Sequence, residues 1–155
     1  MVNVFFWDSS ALVKRYIVER GTPWVREITG TIARNALIVA RITWVEMQSA
    51  LARRYREGSL TAEQIAGSTR ALRYDWDAQY LVVDLDQPLA DLAGQLVRKH
   101  SLRAYDAVQM ASALRVQPSF ADARSAVLTF VAADDRLLAA AEAEGLQIDN
   151  PNYHS

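Results

Sequence analysis

Four short, mainly apolar runs punctuate the chain: Val2–Trp7, Ala36–Ala40, Tyr80–Val83 and Val127–Ala132. Runs of this length read as buried strands. A weaker fifth lies near Leu146–Ile148. Between them, apolar residues recur with helical spacing over Ile42–Glu57, Thr61–Gln79, Pro88–His100, Ala104–Arg115 and Asp135–Glu144. In the first of these helical segments Trp44, Met47, Leu51 and Tyr55 fall on one stripe, at steps of three, four and four residues. Gly58 and Gly145 are placed as helix stops. Strands alternating with helices predict an α/β fold, a three-layer α/β/α sandwich around a mainly parallel sheet. No linker-like stretch or fixed-period repeat divides the chain, so residues 1–155 read as one domain.

In such a sheet all strands end on one edge, and residues just beyond those ends converge there. The first strand runs directly into Asp8, and the fourth into Asp134 and Asp135. Asp is a preferred N-cap, and capping alone accounts for either position taken singly. Asp106 is harder to explain in that way. On a helix beginning near Ala104 it shares a face with Met110 and Ala113, and a carboxylate aimed at a core needs a partner. Glu46 points away from the Trp44/Met47/Leu51/Tyr55 stripe and by pattern alone is a solvated helix residue. Three or four carboxylates on one sheet edge repel one another unless a cation sits among them, and hard cations such as Mg²⁺ and Mn²⁺ take oxygen ligands.

Composition narrows the alternatives. The chain is 51% hydrophobic and 23% charged, which excludes a disordered polypeptide. Its longest uncharged stretch, Ser125–Ala133, is far too short for a membrane span, and the amino terminus lacks the basic region of a secretory signal. The expectation is a soluble cytoplasmic protein with no membrane partner. Without cysteine there is no disulfide, thiolate nucleophile or Cys-based metal site. Of the two histidines, His100 follows Arg98 and Lys99 on what reads as a solvated helix end, and His154 is the penultimate residue, so paired-histidine chemistry finds no support. The scattered glycines form no phosphate-binding loop.

Three stretches carry a family resemblance. Phe-Phe-Trp-Asp-Ser-Ser-Ala-Leu-Val-Lys-Arg-Tyr (5–16), Leu-Arg-Ala-Tyr-Asp-Ala-Val-Gln-Met-Ala-Ser-Ala-Leu (102–114) and Phe-Val-Ala-Ala-Asp-Asp-Arg-Leu-Leu-Ala-Ala-Ala (130–141) resemble PIN-domain ribonucleases. More narrowly, they resemble the VapC-type toxins of toxin–antitoxin pairs. The resemblance implies a Mg²⁺- or Mn²⁺-dependent endoribonuclease that cleaves RNA with a metal-activated water. It also implies a homodimer inhibited by a VapB-type antitoxin. Carried over by position, Asp8 matches the first-strand acid, Ser10 its supporting hydroxyl, and Asp106 the acid of the Asp-Ala-x-x-x-Ala-x-Ala helix. Glu46, in Thr-Trp-Val-Glu-Met-Gln-Ser-Ala-Leu, matches the acid of the third helix. The spacing to Arg136-Leu137-Leu138 favours Asp134 over Asp135 as the fourth. One position departs: Ala132 stands where the family commonly has Ser or Thr. That departure keeps open a second reading, a catalytically impaired PIN-like regulatory or binding module.

The charge pattern adds candidate contacts. The net charge is −1, yet Ser9–Arg73 holds eleven basic and five acidic residues, whereas Tyr74–Ser155 holds six and twelve. Lys14, Arg15, Arg53, Arg54 and Arg56 are the basic candidates for RNA phosphates. In the resembling family the third and fourth helices hold the antitoxin, so the same residues could instead serve that partner. Asp84 and Asp86 read as non-ligands, Asp86 as a helix-start signal before Pro88. Asp122, Asp149, Glu142 and Glu144 read as surface residues.

Overall fold

A computed structural model describes residues 2–121 and 126–154. Strand β1 (Val4–Trp7) leads through α1 (Ser9–Tyr16) and α2 (Thr22–Thr29) to β2 (Ala36–Ala40). Helices α3 (Ile42–Arg56) and α4 (Ala62–Ala78) follow, then β3 (Tyr80–Val83), α5 (Gln87–Lys99), α6 (Ala104–Val116) and α7 (Pro118–Ala121). The chain continues with β4 (Leu128–Val131), α8 (Asp135–Ala143) and β5 (Gln147–Asp149). All five expected strands are present, the first and fourth trimmed at their ends. Helix α2, for which the sequence pattern set no bounds, buries Thr22, Val25 and Thr29 on one face.

Local chemistry sets the boundaries. Thr61 and Gln64 cap α4 reciprocally, and Asp86 caps α5 by accepting from the Leu89 N–H at 3.0 Å. Gly58 and Gly145 end α3 and α8 with φ of 79° and 91°, a backbone region that residues with a Cβ rarely enter.

The sheet is entirely parallel, in the order β3-β2-β1-β4-β5. The chain lays β2 and β3 on one side of β1, then returns to place β4 on the other. That reversal opens a crevice beyond the carboxyl ends of β1 and β4, the place where open α/β sheets bind ligands.

Alternation along the strands divides the core in two. Trp7, Leu37, Val39 and Val131 face a layer containing Val25, Met47, Leu51, Leu72 and Trp76. Phe6, Ile38, Ala40 and Phe130 face Leu89, Leu96, Met110, Leu137 and Leu138. The predicted stripe on α3 holds only in part. Met47 and Leu51 are buried and Trp44 packs edge-on to Trp76, but Tyr55 is 55% exposed because the last turn runs past the core. Among the described residues no helix is long and apolar enough to cross a membrane.

Phe6 and Phe130 are register partners in β1 and β4, fully buried, with rings stacked at 5.7 Å. Phe130→Ala should lower the free energy of unfolding by about 3–5 kcal/mol, read from urea denaturation.

Candidate active site

Asp8 follows β1 directly and caps α1, accepting from the Ser10 N–H at 3.0 Å and from the Ser10 hydroxyl on the same oxygen, Oδ2. Its backbone N–H donates to the Val131 carbonyl at 2.9 Å, extending the β1–β4 ladder one residue past the strand. The side chain is buried, and Oδ1 has no hydrogen-bond partner. Burial raises its pKa to about 7, helped by the charges of Glu46 and Asp106 and opposed by the Ser10 hydrogen bonds.

Glu46 is not a solvated helix residue. It is half-buried on α3, and Gln109 Nε2 donates to its Oε1 at 2.6 Å. Burial and the charge of Asp106 raise its pKa, opposed by that hydrogen bond and by the nearby Ser9 side chain. Gln109, Thr43 and Ser9 were missed from sequence. The available signal was Gln109 itself, the lone amide within the apolar run Ala107–Ala113.

Asp106 lies in the first turn of α6 and is half-buried at the cleft, not pointed into the core as the Met110/Ala113 face suggested. Burial and the charge of Asp134 raise its pKa, while Arg103 and Arg136 act in the other direction. Asp134 caps α8 by accepting from the Arg136 and Leu137 N–H groups. Cap and cleft residue are therefore one and the same. Asp135 has a different task, accepting from Asn150 Nδ2 at 2.9 Å and from the Tyr153 hydroxyl, which ties down the carboxyl-terminal segment. Ala132 is completely buried, and the hydroxyl of this corner comes from Ser10, whose Oγ accepts from the Ala133 N–H at 2.9 Å.

Comparison with known proteins gives this cleft a context. The model of the PIN domain family matches residues 5–143. The chain belongs to the PIN-domain family. Two ribonucleases of Mycobacterium tuberculosis, VapC45 (strain CDC 1551 / Oshkosh) and VapC49 (strain ATCC 25618 / H37Rv), are each 33% identical to it over 114 residues, 72% of this chain and 75% of theirs. Solved structures share the fold. PAE2754 from Pyrobaculum aerophilum aligns with a TM-score of 0.64 at 21% identity, over 97% of this chain and 85% of that one. FitAcB from Neisseria gonorrhoeae aligns with a TM-score of 0.61 at 16% identity, over 98% and 100%. VapBC2 from Rickettsia felis, bound to a DNA fragment from its promoter, aligns with a TM-score of 0.62 at 11% identity, over 95% and 98%.

The donor set of this PIN domain suits a hard divalent cation: carboxylate oxygens only, one of them buried and unpartnered. The acids act on one another through their charges without forming a cage. Among the described residues no three acidic or histidine side chains stand close enough to enclose an ion.

Several surface assignments change. Lys14 is 5% exposed and paired with Glu19 at 3.0 Å, and Arg54 takes the other oxygen of Glu19 at 2.8 Å. Arg15 donates to Gln79 Oε1 and the Tyr80 hydroxyl, with Asp75 at 3.5 Å. These three cations hold α1, α3, α4 and β3 together; Lys14 and Arg15 are turned inward, while Arg54 also lines a surface groove. Arg53 and Arg56 are exposed, as are Arg103 and Arg136, whose charges reach Asp106. His100 and Glu144 are not simply solvated: they stand 3.5 Å apart, each with a mostly covered side chain, and Lys99 also reaches Glu144. Asp84 pairs with Arg41 and Asp86 with Arg115. Asp149 accepts from Asn150 N–H, Glu142 is exposed, and Asp122 lies outside the described residues.

The shift at Asp8 has a definite sign. Its folded pKa lies above the unfolded value near 3.9, so the fold favours the protonated acid and this contribution to stability is full below pH ~4. It is lost as pH rises toward 7, at ~1.4 kcal/mol for each tenfold difference in proton affinity. Urea unfolding in metal-free buffer should therefore show stability falling from pH 5 to 8. Asp8→Asn, which can still cap α1, should flatten that slope and raise stability at pH 8.

Proposed function

We propose that this PIN domain is the toxin endoribonuclease of a VapBC-type toxin–antitoxin pair, cleaving RNA phosphodiester bonds with Mg²⁺ or Mn²⁺. The observation that carries the reading is the mutual influence of acids at one sheet edge: the charges of Glu46 and Asp106 help raise the pKa of buried Asp8, and that of Asp134 helps raise the pKa of Asp106. Relatives whose own activity is ribonucleolytic add to it.

Asp8 and Asp106 would hold the cation, with Glu46 and Asp134 acting on it through coordinated water. When bound, a divalent cation neutralises the scissile phosphate and acidifies a coordinated water. The chain supplies the rest. Buried Asp8, lacking a partner at Oδ1, is satisfied by a cation better than by any protein group present. Ser10 keeps Oδ2 of that carboxylate in place, and Glu46 is held from α6 by Gln109. Arg103 and Arg136 flank Asp106 and would draw the phosphate chain toward the acids. A VapB-type antitoxin would bind along α3 and α4, where a groove of about 590 Å³ is lined by Ile17, Val18, Arg54, Leu60 and Gln64. We take the working form to be a homodimer.

The test is cleavage of a mixed RNA pool by purified protein. Mn²⁺ should support cleavage, EDTA should abolish it, and Asp8→Asn or Asp106→Asn should slow it by ~100-fold or more, the scale on which positioned acid–base groups act. Undiminished cleavage by Asp8→Asn would overturn the assignment.

A further inference from the structure

Gln109 is fully buried on α6, three residues beyond Asp106 and so on the same helix face. Its Nε2 spends both N–H groups on α3, donating to Thr43 Oγ1 at 2.7 Å and to Glu46 Oε1 at 2.6 Å. Thr43 is also fully buried. The amide oxygen of Gln109, by contrast, is buried without a partner. A half-satisfied amide in an apolar run destabilises the fold relative to a methionine of similar shape, so packing alone does not account for it.

We propose that Gln109 is a positioning residue that holds the Glu46 carboxylate in one orientation within the acidic cleft. The inference rests on the nuclease reading for its chemistry, but its geometry is independent of it. The amide group is planar, so anchoring one N–H on Thr43 fixes the direction of the other. Residue type matters here. A lysine or arginine in this position would pair with Glu46 and cancel the charge a cation needs, whereas a carboxylate would repel it. An amide donates a hydrogen bond and leaves the charge of Glu46 intact. Supporting groups that orient ligating carboxylates in this way typically change metal affinity or activity ~10–100-fold when removed.

Gln109→Met keeps the volume and removes the donor. Titration calorimetry with Mn²⁺ alone should show affinity ~10–100-fold weaker than the parent's. Cleavage assays should show kcat falling by a similar factor, with KM for RNA within about twofold. In a Glu46→Gln background the same substitution should change Mn²⁺ affinity no further, because Gln109 acts only through that carboxylate. Should Gln109→Met fail to fold, Gln109→Asn carries the same expectation, since its amide sits one carbon too far back to reach Glu46. Parent-like Mn²⁺ affinity in a folded Gln109 variant would overturn the proposal. So would an equal loss with and without Glu46, which marks a purely structural role, or a parent that takes up no Mn²⁺. If the parent binds Mn²⁺ with the predicted dependence on Glu46 yet cleaves no RNA, the positioning role stands and the nuclease reading falls.

Discussion

The cleft depends on how the ends of β1 and β4 are joined. The two strands run in register, Trp7 beside Val131, and the Asp8 N–H continues the ladder to the Val131 carbonyl. One residue pair further on, backbone pairing gives way to a side chain: the Ser10 hydroxyl accepts from the Ala133 N–H and donates to Asp8 Oδ2. This closure fixes Asp8 with respect to the turn that leads into Asp134. It also explains how Ala132 can be apolar and fully buried, because Ser10 in the first turn of α1 supplies the hydroxyl of that corner.

Around this closure the structure separates neutral donors from cations. Ser10 and Gln109 donate to carboxylates without cancelling their charge, Thr43 anchors Gln109 by accepting from its amide, and Arg103 and Arg136 are exposed. Asp8 is left buried, repelled by Glu46 and Asp106, and incompletely hydrogen-bonded. Each of those features lowers the stability of the metal-free fold, and violations of this kind are expected where function is built into a scaffold. The scaffold offsets them elsewhere, with the stacked Phe6–Phe130 pair and the two apolar layers.

The basic excess of the first half of the chain serves that scaffold more than it serves any polyanion. Lys14 and Arg54 share Glu19, binding α1 to α3. Arg15 lies among Tyr16, Asp75, Gln79 and Tyr80, a buried polar network that joins α1 to α4 and β3. A cation this well enclosed has too little exposed surface left to meet a phosphate.

Strand positions were legible in the sequence because apolar runs of strand length have few other folded uses, and the expected ladder of alternating strands and helices follows from them. Asp8 and Asp134 were legible as strand-end acids for the same reason. The bounds of α2 were not, since two of the three residues it buries, Thr22 and Thr29, are polar by type. Glu46 could be singled out only by family resemblance, because helical phase says which residues share a face but not what that face meets. Family resemblance also favoured Asp134 over Asp135, but that Glu46 meets Gln109 and that Lys14 and Arg15 turn inward were decided by tertiary structure alone. The sequence by itself determined which acids stand at the ends of strands. Only packing of α3 against α6 and of β4 beside β1 decided which acids share a cleft, because charge–charge distances between distant segments exist only once those elements are in place.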